Sequence, residues 1–344
     1  MTTCLRIRSP GLITTVQDSG RLAYQHVGVP VSGVLDALSF RIANALVQND
    51  KSAAVLETIV AGAEVEAVDG PVRFALAGGA SEASILGESA RAAPRLRSAT
   101  LQPGEKLRIG AIRGASCAYL AVEGGFAIEP VLGSRSTYAR GGIGGFHGRP
   151  LQAGDEIPLV LAAPTKRAEL TLPEEPDYGA GPVHIVMGPQ ENYFTEEACR
   201  ILVESDFTVS KDADRVGMRL EGPKIEHLGQ FEMPSDGTVT GNIQIPGSGN
   251  PIILLPDRST TGGYPKIATI VSSDLPRVSR MLPGQKIRFT AISSTEAVAY
   301  TRARHQYLEE LLALVRPAIR TEIDSAELLA INLIDGVVSA NADN

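Results

Sequence analysis

Ten consecutive residues, Asp257-Arg258-Ser259-Thr260-Thr261-Gly262-Gly263-Tyr264-Pro265-Lys266, concentrate the reactive chemistry of this 344-residue sequence. They supply a carboxylate, two cations, three hydroxyls, a phenol and a glycine pair. Each hydroxyl can donate one hydrogen bond and accept others. Paired glycines let the main chain reach positive φ and let a ligand approach it closely. Such a set can grip a carbonyl or carboxylate, and it can equally cap the ends of two strands. Hairpin loops usually need only about two to five residues, so a longer polar loop between strands is a candidate ligand loop. Gln244, just upstream, can point into the same place or into solvent. Near the N-terminus, Gln17, Asp18 and Arg21 form a polar turn, with His26 close behind it. The glycine-rich stretch 133–149 carries Ser134, Arg135, Ser136, Arg140, His147 and Arg149. It suits an anion, through arginines and backbone amides, or an ordered surface crossover. Asp214, Arg215 and Arg219 have the types for an internal ion pair.

The elements that must position these residues are mostly strands. Apolar, β-branched runs at 238–245, 251–255 and 267–272 flank the turn at 247–250 and the polar loop. The 35 glycines and 22 prolines cut the chain into short segments, which favours barrels or sandwiches over a doubly wound layer. Further strands are predicted at 5–7, 14–17, 56–59, 63–67, 72–76, 83–85, 106–109, 118–122 and 156–160. In the second half they are predicted at 183–187, 207–210, 218–220, 224–226 and 286–291. Apolar residues at Leu38, Ile42 and Leu46 predict a helix over 36–47, with Asp36 as N-cap and Asn49 near its stop. A second helix over 195–203 is capped by Thr195, with Glu196 and Glu197 at its positive end. A third runs over 295–315 and ends near Pro317, followed by amphipathic segments at 325–332 and 333–339. The expected organisation is a first β-barrel over 1–162, a linker over 163–181, a second barrel over 182–293 and a helical tail over 294–344.

Bulk properties exclude several classes. A formal charge of −7 speaks against a nucleic-acid partner, since phosphate binding rests on Lys and Arg. No apolar run approaches the ~20 residues of a membrane helix, and the N-terminus lacks a signal-peptide core, which points to the cytoplasm. Cys4, Cys117 and Cys199 are too scattered for a zinc site or a disulfide framework. The five histidines show no metal-ligand spacing, so no metal is expected.

Several blocks carry a family resemblance. DRSTTGGYPKIATI (257–270) resembles the signature of the C-type subunit of prokaryotic 5-oxoprolinase. That family is also called allophanate hydrolase subunit 2 or the Kip-type A component, and is related to part of the carboxyltransferase domain of urea carboxylase. GLITTVQDSGRLAYQHVGVPVSGVLDALSFRIANALVQN (11–49) and AYLAVEGGFAIEPVLGSRSTYARGGIGGFHGRPLQAGD (118–155) resemble its opening and middle blocks. GPQENYFT (188–195) and ADRVGMRLEGP (213–223) resemble two more, in family order. The resemblance implies two related cyclophilin-like β-barrels and a heteromer with a B-type (Kip-type I) partner. It implies ATP-dependent hydrolysis of 5-oxo-L-proline to L-glutamate, joined by an A-type partner. The alternatives within the family are a carboxyltransferase that takes carboxybiotin from a partner to urea, and a non-enzymatic regulator of a kinase. The sequence contains neither a GxxxxGK(S/T) phosphate loop nor an AMKM-type biotin block, so ATP is expected to be used by the complex rather than by this chain.

Chemistry and resemblance together nominate Asp257, Thr261, Tyr264 and Lys266 as catalytic residues. Asp257 can act as a base, orient Arg258 or close a salt bridge; Tyr264 and Lys266 can supply a proton and a charge. Thr260 and the amides of Gly262 and Gly263 join Thr261 as donors to a small amide substrate. Gln244, Arg258, Gln17, Asp18, Arg21, His26 and Arg135 complete the candidate binding set. Ser235-Asp236-Gly237 stands where relatives carry Ser-Glu-Gly, and Pro256 where a small Ala is common. Both departures bear on fine substrate specificity.

Overall fold

The structure is a computed structural model that describes residues 3–229 and 232–318. It is mainly β. In the first half, eleven strands are described. These are β1 (Cys4–Ser9), β2 (Ile13–Gln17), β3 (Val55–Ile59), β4 (Glu64–Val68), β5 (Val72–Ala80) and β6 (Ala83–Leu86). Then come β7 (Arg91–Ala92), β8 (Ser98–Leu101), β9 (Lys106–Ile109), β10 (Arg113–Val122) and β11 (Glu156–Pro158). They form a six-stranded sheet, β11-β1-β4-β9-β6-β7, and a five-stranded sheet, β2-β3-β10-β5-β8. Between the sheets lies a core of alternating inward residues that includes Leu5, Ile7, Val65, Phe74, Leu107 and Ile157. The first helix, α1 (Ala37–Leu46), packs on β5 and β10. Asp36 caps it, its Oδ1 accepting from the N–H groups of Leu38 and Ser39 at 3.1 and 3.0 Å.

A two-residue strand, β12 (Leu170–Thr171), lies between the halves. The second half then runs β13 (Val183–Met187), α2 (Glu196–Glu204), β14 (Phe207–Ala213), β15 (Gly217–Glu221), β16 (Asp236–Gly237) and β17 (Asn242–Gln244). It continues with β18 (Ile252–Leu254), β19 (Thr261–Gly262), β20 (Lys266–Ile270), α3 (Leu275–Ser279), β21 (Lys286–Ile287) and β22 (Phe289–Ala291). Eight of these strands make a nearly closed barrel in the order β21-β14-β15-β18-β17-β20-β13-β22. One extended segment closes it. β21 pairs antiparallel with β14 at one edge, and β22, one residue later, pairs parallel with β13 at the other. The final helix, α4 (Ser294–Ala313), begins with a capping box between Ser293 and Glu296, and β23 (Arg316–Pro317) returns to β12.

A second core joins the two halves. It includes Phe40, Leu46 and Tyr119 from the first, and Phe207, Ile253, Ile270 and Phe289 from the second. Leu170 and Leu172 belong to it as well.

Most predicted elements stand within a residue or two, and the differences have local causes. The run 238–245 is a strand only over Asn242–Gln244. Asn242 closes a turn by accepting from Val239 N at 2.8 Å, while Thr238 is drawn to Ser259 O and Thr260 O. Residues 224–226 form no strand: Ile225 N makes a single bond to Gly249 O at 3.0 Å, and the preceding Pro223 has no N–H to offer. The loop after Asp257 contains a short strand, β19, paired with β16. The expected segments 325–332 and 333–339 lie outside the described residues.

Candidate active site

β18 delivers Pro256, Asp257 and Arg258 to the base of the polar loop, and β20 carries the chain back into the barrel. The loop is pinned midway, where Thr261 pairs with Gly237 and Gly262 with Asp236. Lys266 secures that pairing from behind. Its Nζ donates to Asp236 Oδ2 at 2.7 Å and to Gly237 O at 3.0 Å, and the side chain is buried. The hydrogen bond from Lys266, above other causes, holds the Asp236 carboxyl below the usual carboxylate range.

On the open side, Thr238, Gln244, Thr261, Gly262, Gly263 and Tyr264 line a groove of about 550 Å³ that Arg219 also borders. An adjoining recess of about 530 Å³ shares Thr238 and Thr261 and adds Gln25, His26 and Thr260. Each has the size of a small-molecule site. Gln244 is buried, with Nε2 donating to Tyr264 O at 3.3 Å. Gly262 is required by this closeness, because a Cβ there would stand 2.4 Å from Gln244 Nε2. The wall thus offers hydroxyls, an amide and a phenol to a polar, planar ligand, and these groups suit a carbonyl that gains negative charge.

Asp257 lies elsewhere. Its carboxylate meets the Arg215 guanidinium edge-on, from Nε at 2.8 Å and Nη2 at 3.2 Å. Arg215 also pairs with Glu57 of β3 and donates to Gly33 O. Glu57 is fully buried and accepts from Leu35 N and Tyr119 Oη, each at 2.8 Å. Burial works against the Arg215 charge, but the Glu57 and Asp257 carboxylates outweigh it and raise the Arg215 pKa. This buried triad ties the second half to the first, and it places the polar loop relative to the N-terminal turn.

Arg258 is 1% exposed. Nη1 donates to Thr240 Oγ1 at 3.0 Å, and Nη2 donates to Thr238 O at 3.1 Å and to Gln25 Oε1. Among the described residues no carboxylate pairs with it, and Nε is buried without a partner. Burial alone lowers its pKa to about 10.

Gln17, Asp18, Arg21 and Arg135 form a separate cluster. Asp18 Oδ1 accepts from Ser134 Oγ and Ser136 Oγ, each at 2.6 Å, and Oδ2 accepts from Arg135 N at 2.6 Å. Arg21 is buried and donates to Val131 O at 3.0 Å and Ser136 O at 2.8 Å, leaving Nη1 without a partner among the described residues. Burial lowers its pKa, while the charges of Asp18 and Asp257 oppose the shift. Gln17 Nε2 bonds Thr15 Oγ1 and Thr137 O at 3.0 and 3.2 Å. The Arg135 side chain turns to Ile128 O. This cluster knits the glycine-rich stretch to β2.

The structure therefore brings Gln244, Thr260, Thr261, Gly262, Gly263, Tyr264 and His26 to two adjoining recesses, with Arg258 behind them. Asp257 and Lys266 act from the frame. Sequence reasoning misses Gln25, Thr238 and Glu57. Glu57 carries a signal, since it is the one charge in the strand Val55-Leu56-Glu57-Thr58-Ile59. Gln25 and Thr238 carry none. Among the described residues, no group of three His, Cys, Asp or Glu is placed to hold a metal ion. No helix there is long and apolar enough to cross a membrane.

Comparisons with known proteins converge on one family. The family model described as the carboxyltransferase domain, subdomain A and B, matches residues 27–291. The chain is 34% identical to the C-type 5-oxoprolinase subunit of Escherichia coli (strain K12), over 89% of this chain and 97% of that protein. It is 29% identical to urea amidolyase of Saccharomyces cerevisiae, over 85% of this chain but only 17% of that protein. Among solved structures, TTHA0988 superposes with a TM-score of 0.75 at 36% identity, covering 84% of this chain and 56% of that one. The urea carboxylase of Kluyveromyces lactis superposes with a TM-score of 0.81 at 26% identity, covering 90% of this chain and 29% of that one. The chain belongs to the carboxyltransferase subdomain A and B family, among the members named as C-type subunits of 5-oxoprolinase.

Proposed function

We propose that this chain is one component of an ATP-dependent 5-oxoprolinase, acting in the cytoplasm with a B-type and an A-type partner. The observation that carries the reading is the match over 97% of the length of the E. coli 5-oxoprolinase subunit. The site chemistry supports it. A lactam carbonyl needs donors as it takes up negative charge, and Thr261, Tyr264 and Gln244 stand around one groove. Thr261 and Tyr264 are the groups assigned to the reacting carbonyl. Asp257 and Lys266 position the loop. ATP would be consumed by the assembled complex.

A second reading is favoured by the urea amidolyase and urea carboxylase relatives. In it the same groove receives a carboxyl group from carboxybiotin delivered by a partner and passes it to urea. ATP-dependent glutamate release from 5-oxoproline, by this chain co-purified with its partners, tests the first reading. Release that requires this chain and collapses in Thr261→Val supports it. An intact assembly that releases no glutamate refutes it.

A further inference from the structure

Arg258 and Arg215 present the same edge of the guanidinium, Nε with Nη2, to different partners. At Arg215 that edge receives both oxygens of Asp257, at 2.8 and 3.2 Å. This is the bidentate pairing for which the guanidinium fork is shaped. At Arg258 the same edge receives the amide oxygen of Gln25 on Nη2, and nothing on Nε. A buried charge without an opposite charge carries a desolvation penalty of roughly several kcal/mol. Asp257 next to it is committed to Arg215, and Thr238 and Thr240 offer only neutral oxygens.

The group that occupies this edge is loosely held. Gln25 opens a one-turn 3-10 segment, Gln25–Val27, that buries no residue. Around it Leu22 is 69% and Val27 61% exposed. The turn's backbone bonds are internal, from Val27 N to Tyr24 O, Gly28 N to Gln25 O and Val29 N to Tyr24 O. Its neck is closed by Arg21 N donating to Val31 O at 2.6 Å. Few buried contacts resist its displacement. Gln25 lines the recess beside Thr260 and Thr261, and Thr238, which also holds Arg258, lines both recesses.

We propose that the Nε–Nη2 edge of Arg258 is the receptor for a carboxylate of the substrate, and that the Gln25 amide oxygen is its resident stand-in. A carboxylate has the planar shape of the glutamine amide and two acceptor oxygens where the amide has one. Entering from the recess, it displaces Gln25 and satisfies Nη2 and Nε together, and it brings the missing negative charge. The ligand class is therefore a small carboxylic acid with an amide or lactam carbonyl that reaches Thr261. This rests on the reading of the 257–266 loop as the substrate site, but not on whether the chemistry is hydrolysis or carboxyl transfer.

The test uses the full chain and calorimetric binding of 5-oxoproline, of 2-pyrrolidinone (the same lactam without the carboxylate), of acetate and of inorganic phosphate. The wild type is expected to bind 5-oxoproline and to bind 2-pyrrolidinone at least about tenfold more weakly. Arg258→Met is expected to erase that preference. Because that variant can also fail to fold, Gln25→Glu is decisive: it supplies the carboxylate internally, so thermal stability rises while 5-oxoproline affinity falls by about tenfold or more. If acetate binds with this Gln25→Glu sensitivity and 5-oxoproline does not, the receptor stands and the 5-oxoprolinase reading falls. Equal binding of the two lactams, binding of phosphate but of no carboxylate, binding of none of the four probes, or indifference to Gln25→Glu each overturns the receptor.

Discussion

Replacing Arg215 with Met removes the one cation shared by two carboxylates at the junction of the halves. Side-chain exposure is 11% for Arg215, 0% for Glu57 and 10% for Asp257, so water cannot take over the lost role. Removing one partner of a buried ion pair costs about 3–5 kcal/mol, because the remaining charge stays buried and unpaired. Here two charges are orphaned, and the hydrogen bond to Gly33 O is lost as well. Arg215→Met should therefore lower the unfolding free energy by about 4 kcal/mol or more, a large share of the ~5–15 kcal/mol typical of a folded protein. The assay is urea unfolding, with stability read from the midpoint at unchanged slope. Arg215→Met combined with Glu57→Gln neutralises the more deeply buried orphan and should recover at least about 1 kcal/mol relative to the single variant. The reasoning is refuted if Arg215→Met stays within about 1 kcal/mol of wild type, or if the double variant is no better than the single.

Gly144→Ala should destabilise by at least about 2 kcal/mol. Gly144 has φ +69°, and an added Cβ would stand 2.1 Å from Ser136 O and 2.5 Å from Arg21 Nη2; a thermal melt checks it. Gly262→Ala should leave stability within about 1 kcal/mol, since the end of a flexible Gln244 side chain can give way, yet it should abolish ligand binding in the groove by calorimetry. Asp155 is held below the usual carboxylate range first by hydrogen bonds from Arg149, which donate at 2.8 Å to each of its oxygens. A carboxyl depressed in the folded state stabilises fully above its unfolded value, about 3.9, and loses that contribution as pH falls through its folded value. Asp155→Asn should thus cost about 2 kcal/mol at pH 7, with the gap to wild type closing below about pH 4 in acid-unfolding curves.

Strand periodicity and helix caps make the architecture legible in the sequence. Asp36 and Thr195 mark helix starts by side-chain chemistry, and the structure has them accepting from Leu38, Ser39 and Ala198 N–H groups. The polar loop is equally legible, because hydroxyls, glycines and a phenol between two apolar strands have few structural uses. Partnership across the chain is not. Asp257 and Arg215 lie 42 residues apart, and Arg258 and Gln25 lie 233 apart. Nothing local to any of these residues names its partner. Lys266 shows the same limit: its neighbours in sequence suggest an exposed cation, while β16 folds back and buries it against Asp236.

The central claim is that this chain serves the hydrolysis of a carboxylate-bearing lactam. The most direct test gives one purified assembly of this chain and its partners two reactions side by side, 5-oxoproline with ATP and urea with carboxybiotin. The account predicts glutamate release in the first that is lost with Thr261→Val although the assembly remains intact. Silence in the first reaction and carboxylation of urea in the second would contradict it.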